Sequence, residues 1–152
     1  MKLILIGAPG AGKGSHAKLI SKNYDVPQIS MGDIIRENIK KGTKLGKELK
    51  KFTEGGNLVT DDLVIRLLES RINKKDCSNG YILDGFPRTI AQANALEKIT
   101  EIDNVLLLDC SEETVLQRLG GRRNCNKCGE IFHVINMPPK KDGVCDKCGG
   151  KL

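Results

Sequence analysis

Residues 7–15 have the sequence GAPGAGKGS, in which four glycines surround a single lysine and a hydroxyl group follows. Such a loop can turn tightly enough for several backbone N–H groups to point at phosphate oxygens, and Lys13 adds a full positive charge. A helical pattern follows, so the positive end of a helix would face the same anion. The hydroxyl stands at Ser15, one place later than the general pattern, because Gly14 follows the lysine. The segment therefore predicts a phosphate-binding loop, the alternative being a glycine-rich turn that merely precedes a helix.

A second group able to act on phosphates begins at Asp84, which ends an apolar run and is followed closely by Arg88. Ligands of open α/β sheets bind beyond the carboxyl ends of the strands, so both side chains are expected near the phosphate-binding loop. A carboxylate there can hold a hydrated Mg²⁺, and a guanidinium can grip a phosphate with its rigid fork. The alternative is a turn aspartate with a surface arginine.

Four cysteines form two Cys-x-x-Cys-Gly repeats, Cys125 with Cys128 and Cys145 with Cys148. This spacing predicts a tetrahedral site with four thiolate ligands, and because no ligand position is left open we expect a structural zinc ion. Iron is an alternative, since thiolates bind both metals. A redox pair is the competing interpretation of either repeat alone, but two repeats argue against it.

The elements that must position these groups can be read from the apolar pattern. Short apolar runs at residues 2–6, 81–83 and 105–108 predict strands that are buried on both faces. Segments of helical period lie between them, with Thr60 and Ser111 as candidate N-caps of two helices. Strands that alternate with helices predict an α/β fold with a parallel sheet and flanking helices.

Two stretches interrupt this alternation. Residues 30–59 are helical in pattern and rich in lysine, which predicts a helical insert, and residues 122–152 contain the cysteine repeats, which predicts a second small insert. The predicted domains are therefore a core of residues 1–29 and 60–121, a helical domain of residues 30–59 and a metal-binding domain of residues 122–152.

Composition limits the class of protein. The chain of 152 residues has 25 Lys and Arg against 19 Asp and Glu, a net charge of +6 that favours anionic partners. The apolar run at residues 3–6 is too short for a signal peptide or a membrane span, so we expect a cytoplasmic protein that needs no membrane. Cytosolic thiols stay reduced, and we therefore expect Cys77 and Cys110 to be packed thiols. His16 and His133 are predicted to be packing or surface residues, with a nucleotide contact as the alternative.

Taken together, these motifs resemble the adenylate kinases, specifically the bacterial long form with a zinc-bearing lid. The resemblance covers the whole chain and rests on residues 7–14, Gly32-Asp33 with Arg36, residues 58–61, Asp84-Gly85-Phe86-Pro87-Arg88-Thr89 with Gln92, Gly121-Arg122-Arg123 and the two cysteine repeats. It implies phosphoryl transfer between ATP·Mg²⁺ and AMP, reversibly giving two ADP, by a monomer that binds no nucleic acid. It also implies that residues 30–59 are the AMP-binding insert and residues 122–152 the lid.

The resemblance assigns roles residue by residue. The catalytic set is Lys13, Asp84, Arg88 and Arg122. The ATP-binding set is Gly10, Ala11, Gly12, Lys13, Gly14, Ser15, Arg118, Arg122, Ile131 and Phe132. The AMP-binding set is Met31, Arg36, Asn57, Leu58, Val59, Gly85, Phe86, Pro87, Arg88 and Gln92. Lys13, Arg88, Arg122 and Mg²⁺ would oppose the charge on the transferring group.

Two departures from the family pattern lead to expectations. Met31 stands where the family usually has a threonine that hydrogen-bonds within the AMP site, so that contact must either be lost or come from Ser30 or the backbone. The family also continues for several dozen residues beyond the position of Leu152. We therefore expect an incomplete lid, an exposed sheet edge and little kinase activity from residues 1–152 alone.

Two other functions fit parts of the sequence. One is a kinase for another monophosphate or small acceptor, since AMP is favoured only through the resemblance. The other is a zinc-knuckle module whose nucleotide-binding domain switches nucleic-acid binding; the net charge supports it, and the scarcity of aromatic residues for base stacking argues against it.

Overall fold

The structure is a computed structural model that describes residues 1–54 and 59–152, with the backbone alone at residues 53 and 54. The elements follow in the order β1 (Lys2–Gly7), α1 (Lys13–Tyr24), β2 (Gln28–Ser30), α2 (Met31–Lys41), α3 (Lys44–Glu54), α4 (Asp61–Ile72), a 3-10 helix (Lys75–Cys77), β3 (Tyr81–Asp84), α5 (Ile90–Ile99), β4 (Asn104–Leu108), α6 (Glu112–Gly120), β5 (Arg122–Asn124) and β6 (Ile131–His133).

Four strands form one parallel sheet in the order β2-β3-β1-β4. The predicted α/β fold with a parallel sheet and flanking helices is confirmed, and its three predicted strands are β1, β3 and β4. Sequence reasoning missed β2, because Gln28-Ile29-Ser30 contains a single apolar residue and three residues give no alternation to detect. β2 extends the sheet beside β3, with Ser30 in register with Asp84.

The central strand β1 is apolar because it packs on both faces. Ile4 belongs to a core cluster with β3 and helices α2–α5, whereas Leu3 and Leu5 join a second cluster with α1. Successive side chains of a strand point to opposite faces, so a continuous apolar run can serve two layers of helices. These side chains are at most 6% exposed.

The strand β4 forms one edge of the sheet, so the expected exposed edge is present, but the prediction that this strand is buried on both faces is wrong. Val105, Leu106 and Leu107 are 55%, 44% and 66% exposed although all three are apolar. The strand pairs with β1 on one side only in the sheet order of the described residues. It therefore presents unpaired backbone groups beside apolar side chains, a combination that favours pairing with another chain.

The predicted helix starts are in place, and one predicted cap contact is wrong. The Ser111 hydroxyl accepts from the Thr114 N–H at 3.3 Å and caps α6, as expected. Thr60 precedes α4 in the N-cap position, but its side chain makes no cap hydrogen bond. Asp61 and Asp62 in the first turn stabilise the positive end of α4 instead.

The described chain forms two compact units: Met1–Gly7 with Gly12–Leu108, and Ala8–Ala11 with Asp109–Leu152. The first unit contains the parallel sheet and α1 to α5. The second contains α6 and the antiparallel pair of β5 with β6. Within the residues described, no helix combines the length and apolarity needed to cross a bilayer.

Candidate functional site: a phosphate-binding loop and a cysteine cluster

The loop between β1 and α1 needs glycine for two different reasons. Gly7 has φ of 146°, and a Cβ there would lie 2.4 Å from the Leu108 carbonyl oxygen of the neighbouring strand. Gly12 has φ of 101° at the N-cap of α1 and turns the chain into the helix. Side chains at these positions would strain the backbone or push the strands apart. The first turn of α1 thus directs its N–H groups and its positive dipole end toward the loop.

Lys13 begins α1, and its side chain folds back along the loop. Its Nζ donates to the Gly7 carbonyl oxygen at 2.8 Å. This bond holds the ammonium group beside the start of the loop. The predicted phosphate-binding lysine therefore lies where the loop begins and the helix starts.

Asp84 ends β3 next to the first turn of α1. A Cβ on Gly14 would lie 3.6 Å from Asp84 Oδ2, so the glycine leaves the carboxylate open to that turn. Gln28 on β2 donates from Nε2 to the same oxygen at 2.9 Å and orients the group. The other carboxylate oxygen suits the water-rich oxygen coordination of Mg²⁺. Sequence reasoning did not single out Gln28, because no local pattern links it to a residue on another strand.

The loop after Asp84 holds Arg88 through a chain of hydrogen bonds. Arg88 Nε donates to the Gly85 carbonyl at 2.7 Å, and the Arg88 backbone N–H donates to Gln92 Oε1 at 2.8 Å. Gln92, only 5% exposed, donates from Nε2 to Asp61 Oδ1 at 2.6 Å. Thr89 donates to the other Asp61 oxygen at 3.0 Å. Asp61, in the first turn of α4, therefore also fixes this loop.

Gly85 and Phe86 have different roles in that loop. Gly85 has φ of 75°, and a Cβ there would lie 3.1 Å from Arg88 Nη2, so glycine lets the guanidinium fold back over the backbone. Phe86 is 1% exposed and belongs to the core cluster, so its ring anchors the loop. Pro87 follows through a cis peptide bond.

Arg36 on α2 is ion-paired with Asp33, and both side chains are 71% exposed. Burial raises the pKa of Asp33, but hydrogen bonds with Arg36 and Ser30 and the charge of Arg36 outweigh it and leave that pKa below its ordinary value. Met31 is 3% exposed within the core cluster, so its side chain has little surface to offer a ligand.

The remaining predicted AMP-contacting residues precede α4. Val59 is half-buried against the core cluster. Asn57 and Leu58 lie outside the described residues, and their assignment stays a prediction.

In the second unit, Arg118 on α6 contacts the Ala8–Ala11 segment. Its Nη1 donates to the Ala11 carbonyl at 3.2 Å and to the Gly10 carbonyl at 3.4 Å. Arg122 is exposed on β5 and donates from Nε to Asn124 Oδ1 at 3.1 Å. Both guanidiniums are therefore anchored through part of their donors.

The strand β6 carries Ile131 and Phe132, the two predicted lid contacts with ATP. Phe132 is 6% exposed and packs with Cys125 and Cys145, so its ring serves the core of this unit. Ile131 is half-buried.

The four cysteines of the two repeats converge as predicted. All four Sγ atoms lie within 4.8 Å of one another, with Cys125 and Cys148 3.5 Å apart and Cys128 and Cys145 3.6 Å apart. A tetrahedral zinc ion with Zn–S bonds of about 2.3 Å places its sulfurs about 3.8 Å apart. The donor set therefore fits a closed zinc site.

Each repeat forms the same turn. The Cys125 N–H donates to the Glu130 carbonyl and the Cys145 N–H to the Gly150 carbonyl, both at 2.8 Å. A Cβ on Gly150 would lie 2.8 Å from Lys127 Cβ and 3.0 Å from Cys125 Sγ, so this glycine lets the turns approach each other. Gly150 was not predicted, although its place after the second Cys-Gly is visible in the sequence.

The protonation of the cysteines is uneven. Hydrogen bonds from the backbone N–H groups of Cys128 and Lys127 lower the pKa of Cys125 to about 6. The Glu130 N–H lowers the pKa of Cys128, but hydrogen bonds with neighbouring thiols and desolvation outweigh it and leave that pKa raised. Cys125 is thus prepared as a thiolate ligand, whereas Cys128 must lose its proton to the solvent when a metal binds.

The other two cysteines differ in burial. Cys77 is 4% exposed, in agreement with the expectation of a packed thiol, and accepts a hydrogen bond from Arg71 Nη1 at 2.9 Å. Cys110 is half-buried.

A parallel sheet whose first strand leads through a glycine-rich, lysine-containing loop into a helix defines a P-loop nucleotide-binding protein. Comparison with protein-family models matches residues 5–147 to the family described as "Adenylate kinase". The chain belongs to the adenylate kinase family.

Curated relatives agree with this assignment. The adenylate kinase of Caldicellulosiruptor bescii is 54% identical over a 157-residue alignment that covers 100% of this chain and 73% of the relative. That of Clostridium tetani is 50% identical with the same coverage. That of Archaeoglobus fulgidus is 49% identical, covering 100% of this chain and 72% of the relative.

Proposed function

We propose that this chain transfers the terminal phosphoryl group of ATP·Mg²⁺ to AMP, reversibly giving two ADP, in adenine nucleotide homeostasis. The observation that carries the proposal is the placement of Lys13, Gly14 and Asp84 around one helix start. Phosphoryl transfer depends on positioning and charge neutralisation more than on a covalent nucleophile, so a lysine, a helix dipole and a carboxylate at one place suit it.

The donor nucleotide would be held by residues 10–15. Their backbone N–H groups and the dipole of α1 would bind the phosphates of ATP, and Lys13 would neutralise charge on the transferring group. Asp84 would hold Mg²⁺ through its oxygens, with Gln28 fixing the orientation of the carboxylate. When bound, Mg²⁺ would offset the negative charge of the phosphates.

The acceptor would be held by the Arg88 loop and the helical insert of residues 30–59. Arg88 and Arg36 would bind the phosphate of AMP as bidentate partners. Arg36 would have to divide its donors between this phosphate and the carboxylate of Asp33, with which it is ion-paired. Gly85, Val59 and Gln92 would line the adenosine pocket together with Asn57 and Leu58. Met31, Phe86 and Pro87 would shape this pocket through the backbone and the core, since Met31 and Phe86 are buried.

The lid, residues 122–152, would supply the remaining contacts with ATP. Arg118 of the core would stack on the adenine, Arg122 would reach the phosphates, and residues 131–132 would contact the nucleotide through the backbone. A guanidinium suits both roles because it stacks on planar rings and binds phosphate in a fork.

The cysteine cluster would hold zinc in a structural role. Four thiolates complete a tetrahedron and leave no position for substrate. Lys147 donates to Glu130 at 3.0 Å and joins the two cysteine repeats from outside. Metal analysis of the purified protein tests zinc against iron.

We further propose that the catalytic unit is a cytoplasmic monomer. The family resemblance implies a monomer, and thiolate ligands persist in a reducing compartment. Nucleic acid is not proposed as a partner.

The experiment is steady-state ADP formation from ATP and AMP, with and without Mg²⁺, by the 152-residue chain and by a form extended past Leu152. We expect turnover that depends on Mg²⁺, with the extended form as the reference for the turnover of residues 1–152. UMP and CMP serve as competing acceptors, and faster use of either would overturn the assignment of AMP. Retention on DNA or RNA that falls steeply with salt would instead support the nucleic-acid function.

A further inference from the structure

The imidazole of His133 is held by three hydrogen bonds within the second unit. Its Nδ1 accepts from the backbone N–H groups of Ile135 and Asn136, each at 3.1 Å. Its Nε2 lies 3.2 Å from the carbonyl oxygen of Gln117, in the last turns of α6. Because Nδ1 accepts twice, it carries no proton, and the proton must sit on Nε2 and be donated to Gln117.

This ring connects two elements that carry proposed ATP contacts. His133 ends β6 directly after Phe132, and in the strand pair it is in register with Arg122. Its partner Gln117 precedes Arg118 on α6. The Val134 N–H adds a second link, since it donates to the Gly121 carbonyl at 2.9 Å. The imidazole thus fastens the β5–β6 pair to the end of the helix.

Gly121 allows the imidazole of His133 to lie close to the backbone because it has no side chain. A Cβ on Gly121 would lie 2.4 Å from both Cε1 and Nε2 of His133. Its backbone, with φ of −88° and ψ of −3°, is open to any residue, so conformation alone does not require glycine. The neighbouring Gly120 has none of the described atoms within 4 Å of a Cβ. Of these two glycines, only Gly121, which faces the imidazole, has no room for a side chain.

We propose that His133, as its Nε2–H tautomer, is a positioning residue that clamps the β5–β6 pair onto α6 and thereby aligns Arg118 and Arg122 for ATP. This inference rests on the proposed function for the nucleotide but not for the clamp itself. Without the Gln117 bond, the strand pair can pivot and the binding-competent arrangement is less populated. Affinity for ATP falls, and the AMP site in the first unit is unaffected.

Two substitutions distinguish the roles of the two ring nitrogens of His133. His133→Asn keeps an acceptor near the position of Nδ1 but is too short to reach Gln117, whereas His133→Gln keeps a donor near the position of Nε2. We expect His133→Asn to raise the Kd and KM for ATP about 2- to 10-fold, the size of one hydrogen bond, with the KM for AMP unchanged. We expect His133→Gln to stay within about twofold of the parent protein. Equal ATP affinity in His133→Asn and the parent, or the opposite order of the two variants, would overturn the proposal.

Gly121→Ala provides a second route that leaves the histidine in place. The added methyl must displace the ring, so this variant should reproduce the effect of His133→Asn, with Gly120→Ala as the matched control near parental affinity. In the double variant Gly121→Ala/His133→Asn the two effects should not add, because both break one contact. Full additivity would contradict the clamp.

Long-range proton–nitrogen NMR of the imidazole gives a readout independent of activity. We expect the Nε2–H tautomer in the parent and in Gly120→Ala, and loss of that single tautomer in Gly121→Ala. A parental Nδ1–H tautomer would overturn the proposal. The two proposals can fail separately. If the parent protein forms no ADP, the proposed function is wrong. The clamp still stands if the parent has the Nε2–H tautomer and the unfolding free energies of Gly121→Ala and His133→Asn do not add in the double variant.

Discussion

Gln92 donates to Asp61 across 2.6 Å, and this bond joins the first turn of α5 to the first turn of α4. The same amide accepts from the Arg88 backbone N–H, so one buried side chain sets the position of the loop that carries a proposed phosphate ligand. The hydrogen bond between the two helix starts therefore helps to position the proposed acceptor site.

Replacing Gln92 should weaken both the fold and the acceptor site. Gln92→Ala leaves the Asp61 carboxylate and the Arg88 N–H without this partner, and we expect a loss of about 1–3 kcal/mol in the free energy of unfolding. Denaturant unfolding measures it, and the KM for AMP should rise with the KM for ATP little changed. Asn94→Ala, an exposed amide on the same helix, is the control and should change neither. An unchanged KM for AMP would separate Gln92 from the acceptor site.

Lys13→Gln should lower kcat for ADP formation about 10²–10³-fold, because it removes a preorganised charge from the transferring group. The free energy of unfolding should fall by no more than about 3 kcal/mol, the size of a hydrogen bond from a charged group such as that with the Gly7 carbonyl. Lys22→Gln, at an exposed position in the last turn of the same helix, should retain parental turnover. Turnover of Lys13→Gln within tenfold of the parent would contradict the assignment.

The thiol of Cys125 gives a pH prediction for the metal-free protein. Its pKa is lowered to about 6, so the folded state favours the thiolate. The resulting stabilisation is fully present above the ordinary pKa of 9.0 and is lost as pH falls through about 6. Ultraviolet thiolate absorbance should therefore show a transition near pH 6 that is missing in Cys125→Ser. A first thiolate transition near the ordinary value would refute it.

Removing the metal should destabilise the second unit, because metal binding supplies folding free energy to small sites of this kind. A strong chelator should lower the melting temperature, and added Zn²⁺ should restore it with release of protons. Cys148→Ser should bind zinc more weakly than the parent, whereas Cys110→Ser should keep one zinc per chain. Equal zinc content in both variants would show that the four cysteines are not the ligands.

The exposed edge strand β4 should make the 152-residue chain associate at high concentration. Leu107 is 66% exposed, so Leu107→Lys places a charge on the edge and should change the free energy of unfolding by no more than about 0.5 kcal/mol. Sedimentation velocity at increasing concentration should show less association than in the parent. Leu19→Lys, at a residue 60% exposed on α1, is the matched control and should leave association unchanged.

Features that depend on neighbouring residues in the chain could be predicted from sequence. The phosphate-binding loop, each cysteine repeat and the strand ending at Asp84 are short segments whose residue types and spacing are visible without the rest of the chain. Such patterns reflect local backbone requirements, which the sequence states directly.

Contacts between distant elements could not be predicted. Gln28 with Asp84, Asp61 with Gln92 and His133 with Gln117 are set by how strands and helices pack, and no single segment carries a sign of them. Burial could not be predicted for two residues that the resemblance assigns to nucleotide contacts. Met31 is buried in the core cluster of the first unit, and Phe132 is buried in that of the second.

The two cysteine turns are near copies, since the Gly129 N–H returns to the Cys125 carbonyl just as the Gly149 N–H returns to that of Cys145, each at 2.9 Å. The second unit therefore contains an internal structural repeat made of these two turns. Either turn can therefore serve as the internal reference against which substitutions in the other are compared.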